Sequence, residues 1–227
     1  MARPQSASLV LAAANAAAVA SSQTPGAAGP LTLTASPVTL DVARRILVTT
    51  AANESGKTLA ISGTNASGAP IREVLSLPNA STVYTAQDFA TVTSAVISAA
   101  AAGAITVGTN AIASTPWLRL DYLVKYFQAG IAVNLGGNTA NVTVEVTLDP
   151  VDKAAVDSQP QNRADSSAAG LPYSLFTPPV AFPLSGMSSL TADTLGSLTI
   201  PCRAVRLTAN SGATTGPVRI TAIQTGI

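Results

Sequence analysis

A nucleophilic serine needs a base to take its proton. In this sequence the possible bases reduce to Lys57, Lys125, Lys153 or a carboxylate, because its 227 residues include no histidine. The commonest general base and the commonest metal ligand are therefore both missing. Asp149, Asp152 and Asp157 gather in one polar stretch and carry the oxygen ligands that calcium takes, but their spacing matches no calcium-binding loop, so a solvated loop is the simpler reading. Cys202 is the only cysteine, which excludes an intrachain disulfide and a cysteine metal cluster; it alternates with Arg203 and Val205 and reads as a buried apolar residue. Leu135-Gly136-Gly137-Asn138 has no Walker lysine and no following helix, and reads as a hairpin turn rather than a phosphate cradle. Asn53, Asn65, Asn79 and Asn141 open four formal glycosylation sequons, which a chain this rich in Ser and Thr produces by chance. No catalytic residue, cofactor or metal is expected, and the chain reads as a non-enzyme.

Charge narrows the partners. Only 10% of residues are charged, the net charge is +1, and the arginines are scattered apart from the pair Arg44-Arg45, so nothing suggests a nucleic-acid groove. That pair should place one side chain on each face of a strand, with one of them pairing with Glu54 or Glu73. With 4% aromatics and a mean hydropathy of +0.37, much of the surface must be apolar or hydroxylated, and such surfaces are usually covered by other subunits.

The elements that would position these residues are strands. Leu31 to Thr34, Ser36 to Val42 and Arg44 to Thr50 alternate apolar and polar residues, and the last stops at Asn53-Glu54-Ser55-Gly56. Lys57 to Asn65 reads as the hairpin partner of that strand, and Ile71 to Leu77 as a third strand. Ser81 to Ala100 holds two β-rich runs around Gln87-Asp88, and Ala101 to Asn110 a short strand between Gly103 and Gly108. A second cycle opens at Trp117 to Tyr122. Gly130 to Pro150 reads as a hairpin through Gly136-Gly137-Asn138, and Cys202 to Ile227 as two runs around Ser211-Gly212. Short strands with turns at this spacing predict an all-β chain of two β-sandwich-like domains, over 31–113 and 114–227, the second interrupted by a long loop at 151–183. A loop of that length is usually functional or packed on a partner. Its Leu171, Tyr173, Leu175, Phe176 and Phe182 are candidate interface anchors.

Residues 1–30 are ambiguous. Arg3, the apolar run from Leu9 to Ala20 and the small residues Ala18-Val19-Ala20 resemble a secretory signal, weakened by Asn15 and by the alanine bias. As a helix Ser8 to Ala20 would span roughly 20 Å against a hydrocarbon core of roughly 30 Å, so it cannot cross a bilayer. The segment is read as an extended arm that gains order by lying on a neighbouring subunit, with Leu9, Val10 and Leu11 as its contact residues.

The series Ala12-Ala13-Ala14-Asn15, Ser22-Gln23-Thr24-Pro25, Arg44-Arg45, Ser55-Gly56, Gly63-Thr64-Asn65, Pro78-Asn79-Ala80-Ser81-Thr82-Val83 and Val107-Gly108-Thr109-Asn110, with the C-terminal VTVEVTLDP and LTIPCRAVRLTANSGATTGPVRITAIQTG, resembles virion structural proteins of tailed, podovirus-like bacteriophages over nearly the whole chain. The resemblance implies a virion location and a short-tail, neck or fibre-like component in symmetric copies, a trimer or higher. Its partners would be itself and other virion proteins, with no nucleic acid and no membrane. A capsid cement or decoration protein is the alternative, and a secreted carbohydrate-binding or adhesin module the more distant one.

Overall fold

The computed structural model describes residues 4–151 and 179–224, and among them every regular element is a β-strand. The chain divides into two compact units. Unit 1 takes residues 1–12 together with 112–227, and unit 2 takes 13–111. Leu171, Tyr173, Leu175 and Phe176 lie outside the described residues.

Unit 1 is built from two sheets. The first runs in the order β1 (Gln5–Leu9), β15 (Val218–Gln224), β10 (Ala129–Asn134), β13 (Thr194–Leu198), with every neighbour antiparallel. The second holds β12 (Phe182–Pro183), β11 (Asn141–Thr147) and β14 (Ala204–Ser211). Along the free side of β14 run Ala113 and Ser114 at the end of β8 (Ile105–Ser114), then β9 (Leu118–Arg119). Alternate residues turn inward: Ala129, Ile131 and Val133 from β10, Val218, Ile220 and Ala222 from β15, and Val142 and Val144 from β11 are all buried. Met187 ties the two sheets together. Its N–H and C=O are held by Leu184 and Val144, while its sulfur fills the space beside Gly196 on β13. Counted along unit 1, the sheets read 1-8-3-6 and 2-7-4-5, which is the strand order of an eight-stranded jelly roll.

That order corrects the hairpin expected over Gly130 to Pro150: β10 and β11 lie in different sheets, as do β14 and β15, and each of the two turns carries the chain from one sheet to the other. Gly136 and Gly137 have φ of 59° and 78°, as a tight turn requires. The Asn138 side chain then ties this crossing to the other one, donating to Gly216 O at 3.3 Å and accepting from the Thr215 and Gly216 N–H groups at 2.9 and 3.2 Å.

Unit 2 carries β2 (Ala20–Gln23), β3 (Gly29–Pro30), β4 (Val38–Thr50), β5 (Thr58–Thr64), β6 (Pro70–Ser76), β7 (Thr82–Ile97) and the first part of β8. The order is β8-β4-β7-β5-β6, with β2 on β8 and β3 on β7. β5 is thus the neighbour of β6 and β7 and not the hairpin partner of β4. The two long strands β4 and β7 change register twice against each other, and β5 shifts once against β7. Such bulges bend a sheet and sharpen its twist. Ile46, Leu59, Ile61, Phe89, Val92, Ile105 and Val107 fill the core.

The free arm is also corrected. β1 is an edge strand of unit 1, pairing Leu9 with Val218, and Leu9 and Leu11 are buried there. The Leu11 N–H donates to Thr214 Oγ1 at 2.9 Å, and the Thr214 N–H returns a bond to the Leu11 carbonyl at 2.8 Å. In unit 2, Val19 and Ala20 are fully buried against β8, and the Leu31 N–H bonds to Ala95 O at 2.8 Å. Leu9, Leu11, Val19 and Ala20 each fill one position in a core that the rest of the same chain completes, while Val10 stays half exposed.

Candidate functional site

Three loops lie at one end of unit 1, 120–128, 148–151 with 179–181, and 199–203, and hydrogen bonds join the first to the third and the third to the end of β11, where the second begins. The Leu120 N–H bonds to Arg203 O at 2.8 Å, and the Arg203 N–H to Thr147 O at 2.9 Å. Asp149 Oδ2 accepts the Val180 N–H at 2.7 Å, which closes the chain on either side of the segment 152–178. Gln224 clamps the first loop, accepting the Asp121 N–H at 2.8 Å and donating to its carbonyl at 2.5 Å.

Much of what these loops show to solvent is apolar. Leu123 and Tyr126 are each 79% exposed, and Ile200, Leu148, Val180 and Tyr122 also stand out. The charges among them are occupied within the unit. The Arg203 guanidinium lies 4.8 Å over the Tyr122 ring and the Lys125 ammonium 5.3 Å over Tyr126, while Asp121 Oδ1 accepts the Leu123 N–H at 3.1 Å. Exposed apolar side chains of this kind are found at interaction sites and ligand-binding grooves.

Of the interface candidates, Leu9 and Leu11 are core residues of unit 1, Val10 is half exposed, and Phe182 is half exposed on the edge strand β12 opposite Val146. The surface at Tyr122, Leu123 and Tyr126 was missed by sequence reasoning. The signal was present, since Trp117, Tyr122, Tyr126 and Phe127 bring four of the chain's nine aromatics into eleven residues.

The residues singled out for chemistry are placed as follows. Lys57 is bound to Glu54, Lys125 covers Tyr126, and Lys153, Asp152 and Asp157 lie outside the described residues. Among the described residues no three His, Cys, Asp or Glu side chains gather. Arg44, though almost fully buried, meets neither Glu54 nor Glu73. It binds both oxygens of Asp41, at 2.9 and 3.0 Å, and donates to Asn110 O through Nε, at 3.1 Å, and Nη2. Glu73 instead accepts the Ala86 and Gln87 N–H groups at 2.7 and 2.9 Å, inside β7. In unit 1, Glu145 Oε2 accepts from Arg206 Nε at 2.7 Å and Thr208 Oγ1 at 2.8 Å, while Arg206 also donates to Ser114 Oγ at 3.2 Å and lies 4.6 Å over Trp117. This cluster clamps three neighbouring strands.

Cys202 is buried and donates weakly to Ala204 O at 3.7 Å. Burial pushes its thiol up to about 11 from an ordinary 9.0. A two-unit rise leaves about a hundredfold less thiolate at neutral pH. Iodoacetamide is accordingly expected to leave the native protein unlabelled while labelling the unfolded chain fully, and labelling at equal rates in both would contradict that burial.

No protein-family model matches the sequence, and no curated protein matches it. Among solved structures the chain is similar to the major capsid protein P2 from bacteriophage PM2, with 12% identity, 98% of this chain and 97% of that chain covered, and a TM-score of 0.19. A likeness at that score carries no argument about this chain.

Proposed function

We propose that this chain is a non-enzymatic structural subunit of a tailed-bacteriophage particle. The observation that carries the reading is the strand order of unit 1, 1-8-3-6 over 2-7-4-5, an architecture that recurs in viral capsid domains, lectins and cupins. One fold hosts many functions, so the choice among these rests on the chain's own residues. A chain without histidine lacks the usual metal ligand of a metal-binding cupin. The apolar loop end at Leu123, Tyr126 and Ile200 supports a subunit built for contact with other proteins. Within the particle, the motif resemblance favours a short-tail, neck or fibre-like component in symmetric copies over a capsid cement or decoration protein.

The lectin-like alternative has its own observation, since exposed Tyr122 and Tyr126 are rings on which a sugar can stack. One variant pair separates the two. Leu123→Asp with Tyr126→Ala lies on the surface, where substitutions cost within about 0.5 kcal/mol, so circular dichroism should be unchanged. For a particle subunit, incorporation into assembled virions is expected to fall at least tenfold. Normal incorporation together with lost binding on a glycan array would replace the structural reading by the sugar-binding one. Fractionating tails from capsids then assigns the position in the particle.

A further inference from the structure

The first sheet of unit 1 ends on β13, and among the described residues nothing pairs with that strand on the side away from β10. Free edges present unpaired N–H and C=O groups to any passing strand, and proteins normally guard them with charge, proline, a bulge or a cover. Among the described residues Thr194–Leu198 has no such guard. Its sequence TLGSL is uncharged, and its register with β10 runs without a shift. The adjoining carboxylate, Asp193, is turned to the β10 side, where it accepts from the Asn134 amide at 3.1 Å and the Leu135 N–H at 2.7 Å. Leu195, 85% exposed, is the most exposed large apolar side chain among the described residues. The solvent face continues from Leu195 through Ala132 to Thr221, and from Ser197 through Gly130 to Ile223, with no charge in either row.

A partner for this edge must offer a free β-strand and a face without charge. Two copies of one surface necessarily carry the same charges, so a charged edge repels itself, whereas a neutral one is compatible with its own image. We propose that β13 pairs antiparallel with β13 of a second copy of this chain about a two-fold axis at Gly196. Leu195 of each copy then lies opposite Ser197 of the other. The two Leu195 side chains become diagonal neighbours on one face, roughly 7 Å apart, and cover each other. Gly196 suits the axis, because its inward side is already filled by the Met187 sulfur. Five residues of edge bury less than the ~1,200 Å² of a standard stable interface, so the pair is weak in dilute solution and gains strength where many copies are held together.

Sedimentation of the full chain over a range of concentrations tests this. The wild type is expected to show a reversible monomer–dimer equilibrium. Leu195→Lys and Leu195→Asp should each be monomeric with unchanged thermal melting, and an equimolar mixture of the two should dimerise again through opposite charges. Copies carrying Leu195→Cys mixed with copies carrying Ser197→Cys should cross-link on oxidation, without competition from buried Cys202. A wild type that stays monomeric at the highest concentration overturns the proposal. So does a dimer that persists in Leu195→Lys, or an edge occupied only by a different particle protein.

Discussion

Glu54→Ala is expected to destabilise unit 2 by about 3 kcal/mol, read as a lower denaturant midpoint at unchanged slope. The carboxylate is fully buried and joins three loops. Oε1 accepts the Ala102 and Gly103 N–H groups, both at 2.8 Å, and Oε2 holds Lys57 Nζ at 2.6 Å, while the Glu54 N–H bonds to Pro78 O at 3.2 Å. Truncation leaves two loop amides and an ammonium without partners. The Lys57 side chain is 22% exposed and regains water, which places the cost at the low end for a broken buried pair. Glu54→Gln keeps an acceptor for the two amides and should lose only about half as much.

The same site gives a pH dependence. Burial alone pushes the Glu54 carboxyl up, but the Lys57 ammonium and the Gly103 and Ala102 amides outweigh burial and hold it below its ordinary 4.5. A carboxyl lowered in the folded state contributes stability that is present above 4.5 and is lost as pH falls through the folded value. Wild-type stability should therefore fall more steeply than that of Glu54→Gln in acid below pH 4.5, and parallel profiles would show that Glu54 is not so held.

The strands were legible because alternation and turn residues are local. Ile71 to Leu77 alternates in sequence, and in β6 Ile71 and Leu75 are buried while Val74 is exposed. The jelly roll was not legible, because a turn that returns a strand beside its neighbour and one that sends it to the opposite sheet use the same residues. Gly136-Gly137-Asn138 looks like a hairpin turn, and what makes it a crossing is the bonding of Asn138 to Gly216, 78 positions away. The sequons show the converse error. Discounted as chance, Asn53 and Asn65 each close an Asx turn, accepting from the N–H of the serine two residues on, at 3.0 Å in both cases. At these two of the four positions the Asn-x-Ser spacing has a mechanical reason.

The N-terminal segment was misread for a related reason: small residues suggest weak packing only when the depth of the site they fill is unknown. Gly108→Ala tests the corrected placement. A Cβ at Gly108 would come within 3.0 Å of Asn15 O and of the carbon and oxygen of the Ala16 carbonyl, all backbone atoms that cannot rotate aside. That close approach lets the Thr109 N–H reach Asn15 O at 2.8 Å, the Asn15 N–H reach Thr109 Oγ1 at 3.1 Å, and the Val19 N–H reach Val107 O at 3.0 Å. An added methyl must push the segment off β8, breaking these bonds and uncovering Val19. The expected loss is about 3 kcal/mol, at the upper end for overpacking, with hydrogen exchange at residues 15–20 rising towards the unprotected rate. Gly130→Ala is the control, since the nearest atom its Cβ meets is Ile223 O at 3.9 Å, an ordinary contact. If the two alanine variants melted alike and residues 15–20 exchanged rapidly in the wild type as well, the segment would not be seated on its own chain, and an arm that waits for a neighbouring subunit would be the better description.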